Sequence, residues 1–233
     1  RLMAKKERIW ELDAFRGLCI LFMVAIHLVL DLKGFDYEGP WIFSFLRNWG
    51  GILFLLISGI CLTLGHRGYA RGAVVFCAGM LCSLVTWGLY RLGFSGPEII
   101  IWFGVLHCLG LCMILGQGLN RLPLWALALL ALPLIGLGYW FRTFYVGPRF
   151  LFPLGLMAEG FVSSDYFPLA PNLGWFLLGM ILGRTLYKEK RTLFPRVNSG
   201  SAPIRFLSWC GRNSLLIYLL HQPILEGLTY LLS

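Results

Sequence analysis

The stretch AFRGLCILFMVAIHLVLDL, residues 14–32, decides the fold. Apart from Arg16, His27 and Asp31 it is apolar throughout, and its 19 residues, at about 1.5 Å each, reach across a hydrocarbon layer about 30 Å thick. The polar segment Arg1–Asp13 precedes it and carries Lys5, Lys6 and Arg8. This order reads as a first transmembrane helix with a basic inner flank, not as a cleavable leader. Arg16 and His27 are eleven residues apart. Eleven steps of about 100° make three turns plus roughly 20°, which places both side chains on one face, about 16 Å apart along the axis. A histidine inside the apolar run Leu18–Leu30 is costly to bury, and an ionisable group at such depth points to function.

The rest of the chain agrees with that reading. Of 233 residues, 58% are hydrophobic and 13% charged, with a mean hydropathy of +0.74; a water-soluble domain of this length cannot hide so much apolar surface. Seven stretches are predicted to span: Ala14–Leu32, Trp49–Leu64, Gly72–Tyr90, Ile99–Leu119, Leu124–Phe141, Leu173–Tyr187 and Asn213–Leu232. The Pro-rich segment Phe152–Pro171 allows an eighth, as a re-entrant or interfacial piece. The expected fold is therefore all-α, a multi-pass transmembrane bundle forming a single domain over residues 1–233. With the N-terminus in the cytoplasm, fifteen of the twenty basic residues lie on the inner side, among them Arg16, Arg71 and Arg212. That follows the positive-inside rule and places the chain in the plasma or inner membrane. The net charge of +9 then reflects topology and anionic lipid rather than nucleic acid.

The seven cysteines lie in or beside apolar spans without a CxxC pair, which argues for packing rather than a disulfide frame or a metal site. Lys188–Arg205, with Pro195 and Pro203, reads as a basic inner linker, and Phe141–Pro171 as a long outer connection of the kind that carries binding residues. Gly174, Gly179 and Gly183, and Gly104 with Gly110, suit close helix packing, and glycine-rich faces of this kind also suit a homodimer.

Several residues are candidates for chemistry. Asp31 is one turn beyond His27, where a carboxylate can accept the imidazole N–H, fix its tautomer and raise the basicity of the other nitrogen. The bland alternative is a packing histidine bonded to a carbonyl. Arg16 can pair with Asp13 three residues earlier, as an interfacial anchor, or clamp a phosphate or carbonyl of a ligand. His107 and His221 are two further histidines within predicted spans, the latter beside the helix-weakening Pro223, and together they suggest a ligand-lined polar cavity. Asp165 is a turn residue or a contact for a polar acceptor. Asn213 and Ser214 look like caps of the last helix, with donation to a nucleotide as the other option.

Together these motifs resemble a known family. Leu12–Leu18 followed by Met23, His27 and Asp31, then Gly104–Gly110, then Asp165–Pro171 running into Leu177–Gly179, and finally Gly211–Leu215 with His221–Pro223, are similar to the heparan-alpha-glucosaminide N-acetyltransferase catalytic-domain family. The Arg-x10-His spacing is shared with the wider transmembrane acyltransferase superfamily. The resemblance implies an acetyl-CoA donor bound from the cytosol, an extracytoplasmic sugar or glycan acceptor, Arg16 on the donor and His27 as catalytic base. On that reading CoA phosphates lie near Arg16, Arg71 and Arg212. His107, His221, Asn213 or Ser214 hold the donor or the oxyanion, and Glu159 and Asp165 grip the acceptor. The rival from the residues alone is a proton-coupled transporter with His27, His107 and His221 as a relay, although no internal repeat supports it.

Overall fold

The computed structural model describes residues 9–34, 37–146 and 148–232. Among them it forms eight α-helices: α1 (Trp10–Lys33), α2 (Trp41–Leu64), α3 (Gly68–Arg91), α4 (Val105–Leu119), α5 (Leu124–Phe141), α6 (Leu169–Leu186), α7 (Ala202–Arg212) and α8 (Ser214–Leu232). Pro97–Ile99 and Arg149–Leu154 are short 3-10 turns. The protein is all-helical among the described residues, its β-type pairing limited to a parallel bridge between Phe103 and Tyr166. α1, α2, α3 and α5 are each long and apolar enough to cross a membrane, while α4 and the first part of α8 are apolar but shorter.

The helix ends differ from the sequence expectation where polarity misleads. α2 begins at Trp41 instead of Trp49, because it carries Arg47 and Asn48 on exposed positions, with the Arg47 guanidinium lying over the Phe43 ring at 5.9 Å. α4 begins at Val105 instead of Ile99; the residues before it are extended and pair with the 163–167 loop through Ser164 N–H to Ile100 O (3.2 Å) and Phe167 N–H to Phe103 O (2.9 Å). Phe152–Pro171 contains no α-helix before Leu169. The segment expected as a linker, in turn, hides α7, whose Pro203 lies in the first turn, the one part of a helix where a missing N–H costs nothing.

The chain divides into two compact units, Arg1–Ile57 with Arg184–Ser233, and Ser58–Gly183; the divisions fall inside α2 and α6. In the first unit α1 packs along α7 and also meets α8. The α1–α7 contact is backbone on backbone: a Cβ at Gly17 would collide with the Leu207 carbonyl, and one at Gly211 with the Asp13 carbonyl. The same unit buries Glu11 to 1% exposure. Its carboxyl accepts from the Thr192 hydroxyl and the Leu193 N–H, both at 2.8 Å, and so ties the 188–201 segment to the start of α1. Glu11→Ala leaves two donors without an acceptor, at about 1–3 kcal/mol. Faster limited proteolysis within residues 188–201, with the rest of the digestion pattern unchanged, is the expected outcome.

In the second unit α3 lies along α4, with a Cβ at Gly72 meeting the Gly110 carbonyl at 2.8 Å and one at Gly110 meeting Phe76 N at 2.6 Å. A Cβ at Gly174 would lie 2.6 Å from the Ala131 carbonyl of α5, and one at Gly183 would lie 3.0 Å from the Ile60 backbone of α2, so these glycines do serve close helix contacts. Phe176, Leu177 and Met180 of α6, Leu127 of α5, and Cys108 and Cys112 of α4 form its fully buried centre. The cysteines are free thiols, with Cys108, Cys112 and Cys210 buried.

Candidate active site

Within the first unit the catalytic candidates lie on one helix and the end of another. His27 is half-buried on α1. Helical side chains lean toward the N-terminus, so the ring folds back over the preceding turn and its Nδ1 lies 2.8 Å from the Met23 carbonyl. A carbonyl only accepts, so Nδ1 carries a proton, and in the neutral ring Nε2 is then the nitrogen with the lone pair. This corrects the role expected for Asp31: the orienting partner of His27 is the Met23 carbonyl, because the ring swings away from Asp31 and the short Asp31 stem does not follow. The Asp31 Oδ2 is itself buried with no hydrogen-bond partner among the described residues.

His221 of α8 joins His27. The two rings meet edge to face, centroids 5.0 Å apart at 75°, and the His221 Nδ1 hydrogen-bonds the Tyr218 carbonyl. Two imidazoles from opposite ends of the sequence are thus anchored in the same way, each through Nδ1 to a carbonyl of its own helix. α8 continues through Pro223, and His221 is buried at 8% exposure.

Arg16 faces the end of α7. Its Nε donates to the Gly211 carbonyl at 3.0 Å, and Nη2 donates to the same oxygen. Asp13 lies 3.8 Å from Nη2, the i,i+3 pair expected from the sequence. Gly211 is in the last turn of α7, where carbonyls lack intrahelical partners and the dipole is negative; Arg16 caps that end from another helix. Asn213 caps the same terminus through Nδ2 to the Trp209 carbonyl at 2.9 Å. Asn213 is thus a cap, as the sequence suggests, but its side chain serves α7 rather than the last helix. Ser214 opens α8.

The candidates in the second unit have structural partners. His107, 2% exposed, accepts at Nδ1 from the Gly104 N–H (3.2 Å), and its Nε2 lies 3.3 Å from the Ser83 hydroxyl, which donates to the Ile101 carbonyl at 2.5 Å. Phe103 stacks on the ring and Phe76 meets it edge-on, both with centroids at 5.5 Å. Both ring nitrogens are engaged within the unit, so this conformation offers neither to an acyl donor. Ser83, with no motif to mark it in the sequence, was visible only as a hydroxyl inside an apolar helix.

Asp165 lies at the N-terminus of α4, where Oδ2 accepts the Val105 N–H at 2.8 Å. A side chain at Gly104 would collide with that oxygen, so Gly104 makes room for a carboxylate cap rather than for a neighbouring helix. Asp165→Ala is expected to cost about 1–2 kcal/mol, seen as a lower thermal midpoint, and Asp165→Asn, which keeps an acceptor oxygen, to cost less. The loop is also pinned by the Tyr166 hydroxyl, which donates to the Phe152 carbonyl at 2.7 Å. Burial pushes the Tyr166 pKa up to about 12, against the nearby Arg142, which lowers it, so the phenol remains a donor at physiological pH. Glu159 is exposed on this loop. Arg71 is exposed beside a recess of about 30 Å³ bounded by Cys61, Gly65, Arg67 and Met113. A wider groove of about 540 Å³ between α4, α5 and α6 is lined by Ile114, Leu130, Leu134 and Leu173, and none of the candidate residues borders it.

The profile of the heparan-alpha-glucosaminide N-acetyltransferase catalytic domain matches residues 8–223. The chain belongs to that family. No curated protein and no solved structure gives a significant match. The matched range of this N-acetyltransferase family member takes in Arg16, His27, Asp31, Asp165 and His221, and membership makes the protein a membrane acetyltransferase.

Proposed function

We propose that the protein transfers an acetyl group from cytosolic acetyl-CoA to a hydroxyl or amine of a sugar or glycan outside the cytosol, with His27 as general base. The observation that carries this reading is the anchored His27 tautomer: Nδ1 held by the Met23 carbonyl leaves Nε2 as a positioned base on a membrane helix. Nε2 takes the proton as the acceptor oxygen or nitrogen bonds to the acetyl carbon. The C–S bond then breaks, and the departing thiolate takes that proton from the imidazolium. Arg16 and Arg212 supply positive charge at the cytosolic end for the CoA phosphates, the Arg16 Nη1 being the edge not bonded to Gly211 or Asp13. The His221 ring walls one side of the base. Seven spans with the N-terminus inside, in the plasma or inner membrane, put His27 toward the outer end of α1, where a water-soluble acceptor arrives.

Purified protein in detergent or nanodiscs, given acetyl-CoA and a panel of sugars, is expected to release CoA thiol only with an acceptor present and to yield acetylated sugar by mass spectrometry. If acetyl-CoA neither binds nor turns over with any acceptor, the proton-coupled transporter takes precedence, and a pH-gradient uptake assay would show it.

A further inference from the structure

The groove between α4, α5 and α6 borders none of the residues assigned above, and its outline is that of a chain. Each helix lends it a pair one turn apart: Ile114 and Gly118 of α4, Leu130 and Leu134 of α5, Leu173 and Leu177 of α6. Residues four apart stand one above the other on a helix, so three such pairs make a trough that runs along the helix axes. Its volume of about 540 Å³ falls within the roughly 300–1,000 Å³ usual for ligand sites. Its lining side chains are apolar apart from Tyr69, in the first turn of α3.

The two ends of the trough differ. At one, Tyr69 and Leu119 lie next to the connections that carry Arg67 and Arg121, each arginine two residues from a lining residue. Both arginines are exposed, and neither forms an ion pair among the described residues. Between Gly65 and Pro123 the chain holds one acid, Glu98, and it lies in the Pro97–Ile99 turn, beyond the opposite end of α3. The far end, at Leu134, is ten residues into α5. That is about 15 Å of helix, half of a hydrocarbon layer about 30 Å thick. The trough therefore runs from a basic membrane surface to the bilayer midplane, the depth of one leaflet.

Chemistry selects what fits there. Water finds no hydrogen-bond partners among leucines. A lipid tail gains no hydrophobic energy, since tails elsewhere in the bilayer are as apolar as leucine, but the trough gives it close contact on three sides. What holds one lipid in preference to another is then the headgroup. Arginines at a membrane surface favour anionic lipid, and a guanidinium meets a phosphate through two parallel N–H bonds. The geometry points to a bound anionic phospholipid, with one acyl chain in the trough between α4, α5 and α6 and its phosphate at Arg67 and Arg121. Gly118 keeps the trough open. Glycine is a poor helix former, yet it stands inside α4, where a Cβ would meet the Tyr69 hydroxyl alone, at 3.4 Å. The site lies wholly within the second unit and does not depend on the acetyl-transfer reading.

The test titrates purified protein in detergent with phosphatidylglycerol, or with phosphatidylcholine carrying the same acyl chains, and counts retained lipid by native mass spectrometry. Wild type is expected to retain one phosphatidylglycerol, bound about 5- to 25-fold more tightly than phosphatidylcholine, at about 5-fold for each arginine. Gly118→Leu fills the trough and is expected to lose that copy. Gly136→Leu adds the same bulk on α5, where a Cβ meets nothing within 4 Å, and is expected to keep it. Arg67→Gln combined with Arg121→Gln is expected to make the two lipids equal. Thermal midpoints separate loss of the site from loss of the fold. Phosphatidylglycerol raises the wild-type midpoint by mass action, whereas Gly118→Leu starts at least as high without lipid and does not respond. Equal affinity of wild type for the two lipids overturns the inference, as does selectivity that survives the paired arginine change. So does a phosphatidylglycerol copy that survives in Gly118→Leu or is lost equally from Gly136→Leu. If Gly118→Leu does not fold, the arginine pair decides alone.

Discussion

His27→Ala is expected to lower kcat for acetyl transfer by about 10²- to 10⁴-fold, the usual worth of a positioned general base, or about 3–5 kcal/mol of transition-state stabilisation. The loss should fall on kcat and kcat/KM together, because proton abstraction matters only as the acceptor attacks. Binding of acetyl-CoA should survive, since the imidazole is held by Met23 and His221 and not by donor groups in the first unit. Truncation leaves a gap beside the His221 ring, so His27→Gln is the companion variant: it fills more of that volume but has no basic nitrogen. Equal defects in the two, with unchanged thermal midpoints, isolate the base. If instead His27→Gln turns over as the wild type does, the ring is a packing element on α1 and some other group abstracts the proton. Isothermal titration with acetyl-CoA completes the case, because a structural histidine would drag affinity down along with rate.

How far the sequence foretold this site depends on the range of the interaction. The apolar runs were readable because a membrane helix announces itself within its own 18 to 24 residues: α1, α2, α3 and α5 satisfy length and hydropathy locally. The Asp13–Arg16 pair was readable for the same reason, being three residues apart. What could not be read is tertiary. Nothing near Arg16 announces that its guanidinium ends on the Gly211 carbonyl, 195 positions away. Asp31 looked like the partner of His27 because helix geometry puts them on one face; the lean of helical side chains toward the N-terminus gives the ring to Met23 instead. His107 looked like ligand chemistry because a buried histidine is rare, yet Gly104 and Ser83 satisfy it. α7 was concealed because its proline and its arginines resemble a linker when read one residue at a time. Its role follows from Gly211 meeting the α1 backbone, a contact that no composition records.

That contact sets the largest stability effect expected in the molecule. In Gly211→Ala the added methyl has no side chain to push aside: it meets the Asp13 carbonyl and lies 3.0 Å from the Gly17 N, both backbone. Relief requires α7 to move away from α1, which lengthens the Arg16 bonds to the Gly211 carbonyl and strips the α7 terminus of its cap. Overpacking alone costs about 1–3 kcal/mol, and a lost charged cap adds about 1 kcal/mol. At about 2–4 °C per kcal/mol for a chain of this size, a thermal midpoint lowered by roughly 4–16 °C is expected, and Gly211→Val should not yield folded protein. Gly17→Ala should behave in the same way, since its Cβ would strike the Leu207 carbonyl from the other side of the interface. Gly50→Ala on α2 is the control, because a Cβ there meets nothing within 4 Å, and higher helix propensity should leave it at least as stable as the wild type. Equal midpoints for Gly211→Ala and Gly50→Ala would mean that α1 and α7 are not packed backbone to backbone, and the placement of Arg16 at the end of α7 would fall with that contact.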